Sequence, residues 1–186
     1  MMNSLLLTML ERLSIVAILA FFLSKASFFK NILYNAKVKK TDLFLAILIF
    51  AGIGILGTYT GVPIKDAIAN SRVIGPMVGG LIGGPIVGFG AGLIAGFHRL
   101  TLGGFTATTC GISTALEGLL GGLIRKYYKG EYIPWELALF AGVLGESMQM
   151  GIILLFAKPY SKALDLVNDI GMPMTVTNAI GITVFM

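Results

Sequence analysis

Two arginines, Arg72 and Arg99, bracket the apolar run "RVIGPMVGGLIGGPIVGFGAGLIAGFHR". A lone arginine at either place would be read as an interfacial side chain reaching for lipid phosphate. A pair brought to one level allows different chemistry, because guanidinium groups grip a carboxylate through two parallel hydrogen bonds. Each arginine costs roughly 2.5–3.5 kcal/mol if placed deep in a bilayer, and an anion held between them would offset that cost. The next polar residues downstream are in "GGFTATTCGISTALEG". A helix starting near Thr106–Thr109, with threonine as its cap, would turn free N–H groups and a partial positive charge toward an anion. Thr109, Cys110 and Ser113 could then donate to the ligand's oxygens. Cys110, Ser113 or Thr114, and Glu117 share one helix face. Glu117 and Glu146 are ionisable groups inside apolar segments, and Gln149 lies one turn beyond Glu146. Such residues face a bundle interior and are functional candidates by default. The candidate ligand set is therefore Arg72, Arg99, Cys110 and Ser113. Asn70, Thr109, Glu117, Glu146 and Gln149 form the surrounding polar layer. The competing reading is that the small polar residues only satisfy carbonyls between packed helices. Thr177 and Asn178 are read as structural, and His98 points away from Arg99 if the segment is helical.

The elements that must position these residues are membrane helices. The chain has 186 residues, of which 56% are hydrophobic and 12% charged, and its mean hydropathy is +0.88. A soluble domain carries about twice that charge. Apolar runs recur at roughly Leu5–Leu23, Leu43–Tyr59, Thr106–Ile124, Trp135–Phe156 and Met172 to the end, each approaching the ~20 residues that cross a bilayer core. The expected fold is all-α: a polytopic membrane bundle of five spanning helices plus the glycine-rich segment. That segment is either a re-entrant hairpin or a sixth, kinked span. Gly83–Gly84–Pro85 offers a turn, because proline disfavours helix at the residue before it and removes a donor. Gly75, Gly79 and Gly83, then Gly84, Gly88, Gly92 and Gly96, recur every fourth residue and make two faces for close helix approach. The stretch "KPYSKALDLVNDIGMP" is mildly amphipathic and is expected in the interface. The last apolar run has only about 15 residues, too few for a span, so the chain is expected to be a single transmembrane unit, 1–186, of a longer protein.

The net charge of +5 orients helices rather than marking a nucleic-acid partner. Lys25, Lys30, Lys37, Lys39 and Lys40 place the first loop in the cytoplasm and the N-terminus outside. A hairpin would put Arg125, Lys126 and Lys129 on that same side, whereas a full span would put them opposite. One cysteine and one histidine exclude a disulfide framework and a multi-histidine metal centre. No catalytic set, Walker loop or nucleotide fingerprint is present, and no cofactor is expected.

The block "IANSRVIGPMVGGLIGGPIVGFGAGLIAGFHRLTLGGFTATTCGISTALEGLLGG", with "GESMQMGIILLFAKPY" and "MPMTVTNAIGITVFM", resembles the five-transmembrane receptors of the LytS–YhcK type. The resemblance covers nearly the whole chain. It implies a sensory input domain in a multi-pass bacterial plasma membrane, working as a homodimer ahead of a cytoplasmic histidine kinase and its response regulator. It further implies that Arg72, Arg99, Cys110 and Ser113 bind pyruvate. The rival reading is a small-carboxylate transporter or solute-binding membrane subunit, because broken glycine-rich segments and mid-membrane polar residues are also transporter features.

Overall fold

The computed structural model describes residues 2–25, 39–129 and 133–186. Helices α1 (Met2–Lys25) and α2 (Lys40–Tyr59) come first. A small antiparallel hairpin follows, β1 (Val62–Ile64) and β2 (Ala67–Ala69), with Val62 opposite Ala69 and Ile64 opposite Ala67. Then come α3 (Ile74–Gly83), α4 (Pro85–Thr101), α5 (Ala107–Tyr127), α6 (Trp135–Phe156) and α7 (Tyr160–Val184). By length and composition three of these helices, α2, α5 and α6, can cross a membrane. The 24 residues of α1 and 25 of α7 also have the length for it, at about 1.5 Å per residue. The protein is a polytopic helical membrane bundle.

The glycine-rich segment is broken where the sequence indicates. Gly84 adopts φ 82° and ψ −174°, backbone that a side chain would oppose. Pro85 opens α4 at a position where a missing N–H is harmless. The two arms then fold back against each other. A Cβ on Gly88 would lie 2.6 Å from the Gly80 Cα, and it would also strike the Gly118 carbonyl of α5. The two glycine faces have different partners. Gly75 and Gly79 of α3 lie on Phe50 and Gly54 of α2, while Gly88, Gly92 and Gly96 of α4 lie on Gly118, Thr114–Ala115 and Gly111 of α5. Residues 72–99 thus form a hairpin whose arms are both covered by helices, the condition under which irregular backbone survives at membrane depth.

The hairpin fixes which residues share an end of the bundle. Its tip lies against Gly122 near the end of α5. At the same end Leu13, Leu43, Leu120, Ile124, Leu137 and Phe185 pack on one buried apolar cluster. Lys25, Lys39, Lys40, Arg125, Lys126 and Lys129 border this end, against Asp42 and Glu136; Lys30 and Lys37 lie outside the described residues. The second cluster, with Leu5, Met9, Ala67, Ala69, Ile153, Ala163 and Leu166, marks the other end. There Lys65, Lys158 and Lys162 are balanced by Asp66, Asp165 and Asp169. Single cysteines at Lys65 and Lys158 should therefore label from one face of a sealed vesicle, and those at Lys40 and Lys126 from the other. Labelling of Lys40 and Lys126 from opposite faces would contradict the hairpin. The native Cys110 is buried and gives a low background.

The last helix departs from the sequence expectation. It begins at Tyr160, not near Met172, so most of the Lys158–Pro173 stretch belongs to the same helix as the last apolar run. Ala163, Leu166, Ile170, Met174, Asn178 and Ile182 are buried along one face, and this continuous helical stripe outweighs the breaking tendency of Gly171 and Pro173. Pro173 sits inside the helix. At 25 residues the helix is not short, so its length gives no argument about how the chain continues.

Candidate functional site

Arg72 reaches its place through a turn that the local sequence builds. Asn70, just after β2, donates its amide to the Ile68 carbonyl (2.7 Å) and accepts the Arg72 backbone N–H through Oδ1 (3.1 Å). That is the local bonding which suits asparagine to turns. The Arg72 side chain, 1% exposed, runs into the bundle. Its Nε donates to Thr114 Oγ1 (2.7 Å) and its Nη2 to the Cys110 carbonyl (3.5 Å). Its Nη1 has no partner.

Arg99, also 1% exposed, arrives from the end of α4. Its Nη1 donates to the Gly103 carbonyl (2.6 Å) and its Nη2 to Thr106 Oγ1 (3.3 Å), while its Nε has no partner. Gly103 and Gly104 turn the chain back with φ of 67° and 88°. Cys110, one turn beyond Thr106 on α5, offers its carbonyl to Arg72, so the residues that hold the two arginines are neighbours on one helix. Both guanidiniums therefore meet the first two turns of α5. Among the described residues no carboxylate lies within 4 Å of either one, since the ion pairs found are Lys65–Asp169 and Lys162–Asp66. Two buried cations share one end of a helix, each with a free N–H and neither with an ion partner. Buried charges are ordinarily paired.

The surrounding polar layer divides in two. Near the arginines, Ser113 Oγ lies within reach of the Cys110 carbonyl (3.1 Å) and of Gln149 Oε1 (3.4 Å). Thr109 gives its proton to the Thr106 carbonyl, so its hydroxyl is committed and has no free proton for a ligand. One step deeper, Asn178 Nδ2 donates to Glu146 Oε1 (2.6 Å) and to the Asn70 carbonyl (3.0 Å). Glu117 and Glu146 are fully buried, interact with each other and with Arg72 through their charges, and leave both Glu117 oxygens and Glu146 Oε2 without hydrogen-bond partners. His98 points away, to the Tyr59 hydroxyl at 3.1 Å.

One sequence reading changes here, and two residues acquire definite partners. Thr106 does occupy the cap position of α5, but no side-chain cap bond forms, because its hydroxyl is engaged by Arg99. Thr114 is the residue that orients Arg72; its place one turn beyond Cys110 was the available signal. Asn178 keeps its structural role, with its amide bonded across the bundle to both Asn70 and Glu146.

The site is bordered by the β1–β2 hairpin. A Cβ on Gly104 would lie 2.9 Å from the Asp66 carbonyl at the hairpin tip. The tip is fixed to α7 by Lys65–Asp169 (2.6 Å) and Lys162–Asp66 (3.8 Å). The Asp169 carboxylate, as hydrogen-bond partner, holds the Lys65 ammonium above its ordinary range.

Comparison with known proteins agrees with this architecture. The family model described as "5TMR of 5TMR-LYT" matches residues 26–186. The sensor histidine kinase BtsS of Escherichia coli K12 is 40% identical over 188 residues, covering 98% of this chain and 33% of that protein. The sensor protein LytS of Bacillus subtilis is 41% identical over 203 residues, covering 100% and 34%. The sensor histidine kinase YpdA of E. coli K12 is 32% identical over 174 residues, covering 92% and 30%. The chain thus spans about a third of the length of the curated relatives it matches. No solved structure matches it.

Proposed function

The chain belongs to the family of five-transmembrane receptor regions described as 5TMR of 5TMR-LYT, and from that premise we propose that it is the membrane-embedded sensory input domain of a sensor histidine kinase. In this reading it lies in the bacterial plasma membrane as a multi-pass domain, with its basic end in the cytoplasm. It works as a homodimer, and it acts on a kinase region and a response regulator. Its ligand is a small 2-oxo acid, pyruvate first. Arg72 and Arg99 hold the carboxylate, and Cys110 and Ser113 lie beside the second oxygen.

The observation that supports this reading is the pair of buried guanidiniums. Each keeps an unpartnered N–H, and neither has an acidic partner at ion-pair distance among the described residues. A planar carboxylate supplies what both lack. The transporter alternative rests on the broken glycine-rich segment and on polar residues inside the bundle, whereas alignment along nearly the whole chain with three sensor proteins favours the sensor. Calorimetric titration of the purified chain in lipid nanodiscs with pyruvate, lactate and acetate tests the ligand. Pyruvate should bind most tightly. Absence of binding by any of the three would refute a carboxylate pocket.

Thr114 provides a narrower check. Thr114→Val keeps the shape but removes the acceptor for Arg72 Nε. A hydrogen bond to a charged group is worth about 1.5–3 kcal/mol, so pyruvate affinity should fall roughly ten- to a hundredfold, with the melting temperature little changed if Arg72 is then free to move. An unchanged affinity would mean that Thr114 does not position the arginine.

A further inference from the structure

The buried ionisable side chains among the described residues are Arg72, Arg99, Glu117 and Glu146, apart from the thiol of Cys110. With all four charged, the centre of the bundle is neutral. A carboxylate seated on the free N–H groups of the two arginines would leave one net negative charge inside the membrane. An uncompensated buried charge is strongly unfavourable. The place for compensation is already visible. Glu117 and Glu146 are on neighbouring helices, with Glu117 Cγ 3.6 Å from the place that a Cβ on Gly145, the residue before Glu146, would take, and three of their four oxygens have no hydrogen-bond partner. Asn178 Oδ1, fully buried on a side chain whose amide grips Glu146, is also unpartnered. These are acceptors without a donor, and one proton would turn one of them into a donor.

We propose that the anion enters this site together with one proton, held between Glu117 and Glu146, so that the domain responds to carboxylate and proton jointly. This rests on reading the arginine pocket as a carboxylate site. The other groups facing the pair are few. Arg72, from the segment before α3, and Cys110 of α5 interact with it electrostatically, and α7 presents the neutral Asn178. Helix α3 carries no ionisable residue. On α4, Arg99 is bonded to the Gly103 carbonyl and Thr106, and His98 is turned to Tyr59. On α1, Arg12 is bonded to the Thr60 and Gly61 carbonyls.

Because binding linkage is reciprocal, a proton that joins the anion strengthens anion binding as pH falls. The test is calorimetric titration of the chain with pyruvate, at one pH, in buffers of different ionisation enthalpy. The dependence of the observed heat on the buffer gives the number of protons taken up. Wild type should take up close to one per pyruvate, and its affinity should fall as pH rises, by up to about tenfold per pH unit. Glu117→Gln and Glu146→Gln keep the shape and remove the titrating group, so at least one should bind pyruvate with a proton count near zero. Pyruvate binding by wild type without proton uptake would overturn the proposal and leave the arginine pocket standing. An absence of pyruvate binding would remove the pocket and the proposal together. Sodium-dependent, proton-free binding, seen by exchanging sodium for choline, would assign the compensating charge to a metal ion and overturn it. Should both glutamine variants fail to fold, the wild-type proton count still decides.

Discussion

Arg72→Ala should weaken pyruvate binding at least about a hundredfold. Removing one partner of a buried, hydrogen-bonded charge pair costs about 2–5 kcal/mol, and 1.4 kcal/mol corresponds to about tenfold. Here the effect belongs near the top of that range, because water does not replace a guanidinium that is 1% exposed. Arg72→Lys separates charge from geometry. An ammonium restores the charge but lacks the planar fork, so it loses the simultaneous grip on Thr114 and the ligand and should recover only part of the affinity. Arg99→Ala should lose binding to a similar extent. It should also loosen the turn at Gly103, whose carbonyl Arg99 holds. Calorimetry with pyruvate, alongside thermal unfolding of each variant, measures both effects. If Arg72→Ala and Arg99→Ala bind pyruvate as wild type does, the ligand is held elsewhere.

Gly88→Ala should destabilise the bundle by about 3 kcal/mol, at the upper end of overpacking costs. The added Cβ would meet the Gly118 carbonyl and lie 2.6 Å from the Gly80 Cα. Both obstacles are backbone, so no side chain can swing aside, and α4 would have to move away from both α5 and the other arm of the hairpin. Gly52→Ala is the matched control. A Cβ there meets nothing within 4 Å, and a mid-helix alanine is favoured over glycine by about 1 kcal/mol, so this variant should be neutral or more stable. Thermal unfolding of the two variants in one detergent compares them directly. Equal stability would show that the close glycine contacts do not hold the arms in place.

Much of the architecture was legible because a bilayer leaves little choice. Long apolar runs must be helices, and the run from Trp135 to Phe156 matched α6 at both ends. The four-residue spacing of glycine marked the close faces, and Gly84–Pro85 marked the break. What failed was composition without context. The mild amphipathicity of Lys158–Pro173 set it apart from the last apolar run, whereas one helix starts at Tyr160 and includes both. In the fold the apolar residues of that stretch continue the buried stripe of α7, while Lys162 and Asp169 pair with the hairpin. The site was legible in its charges. Arg72, Arg99, Glu117 and Glu146 are conspicuous in apolar sequence, and all four are buried. The partners that orient them were harder to see. Thr106, Thr114 and Asn178 are common residue types whose importance depends on which helix lies opposite, and spacing along one chain does not contain that information.

The position of Asn178 has a mechanical consequence. It is the point where α7 is pinned to both Asn70 and Glu146. From there the helix extends about 27 Å to Tyr160 and about 9 Å to Val184, at about 1.5 Å per residue. The helix is therefore a lever with unequal arms. Its long arm is strapped to the hairpin through Lys65–Asp169, and its short arm reaches the basic end of the bundle. A tilt about Asn178 moves the hairpin end roughly three times as far as the opposite end, by that same rise per residue.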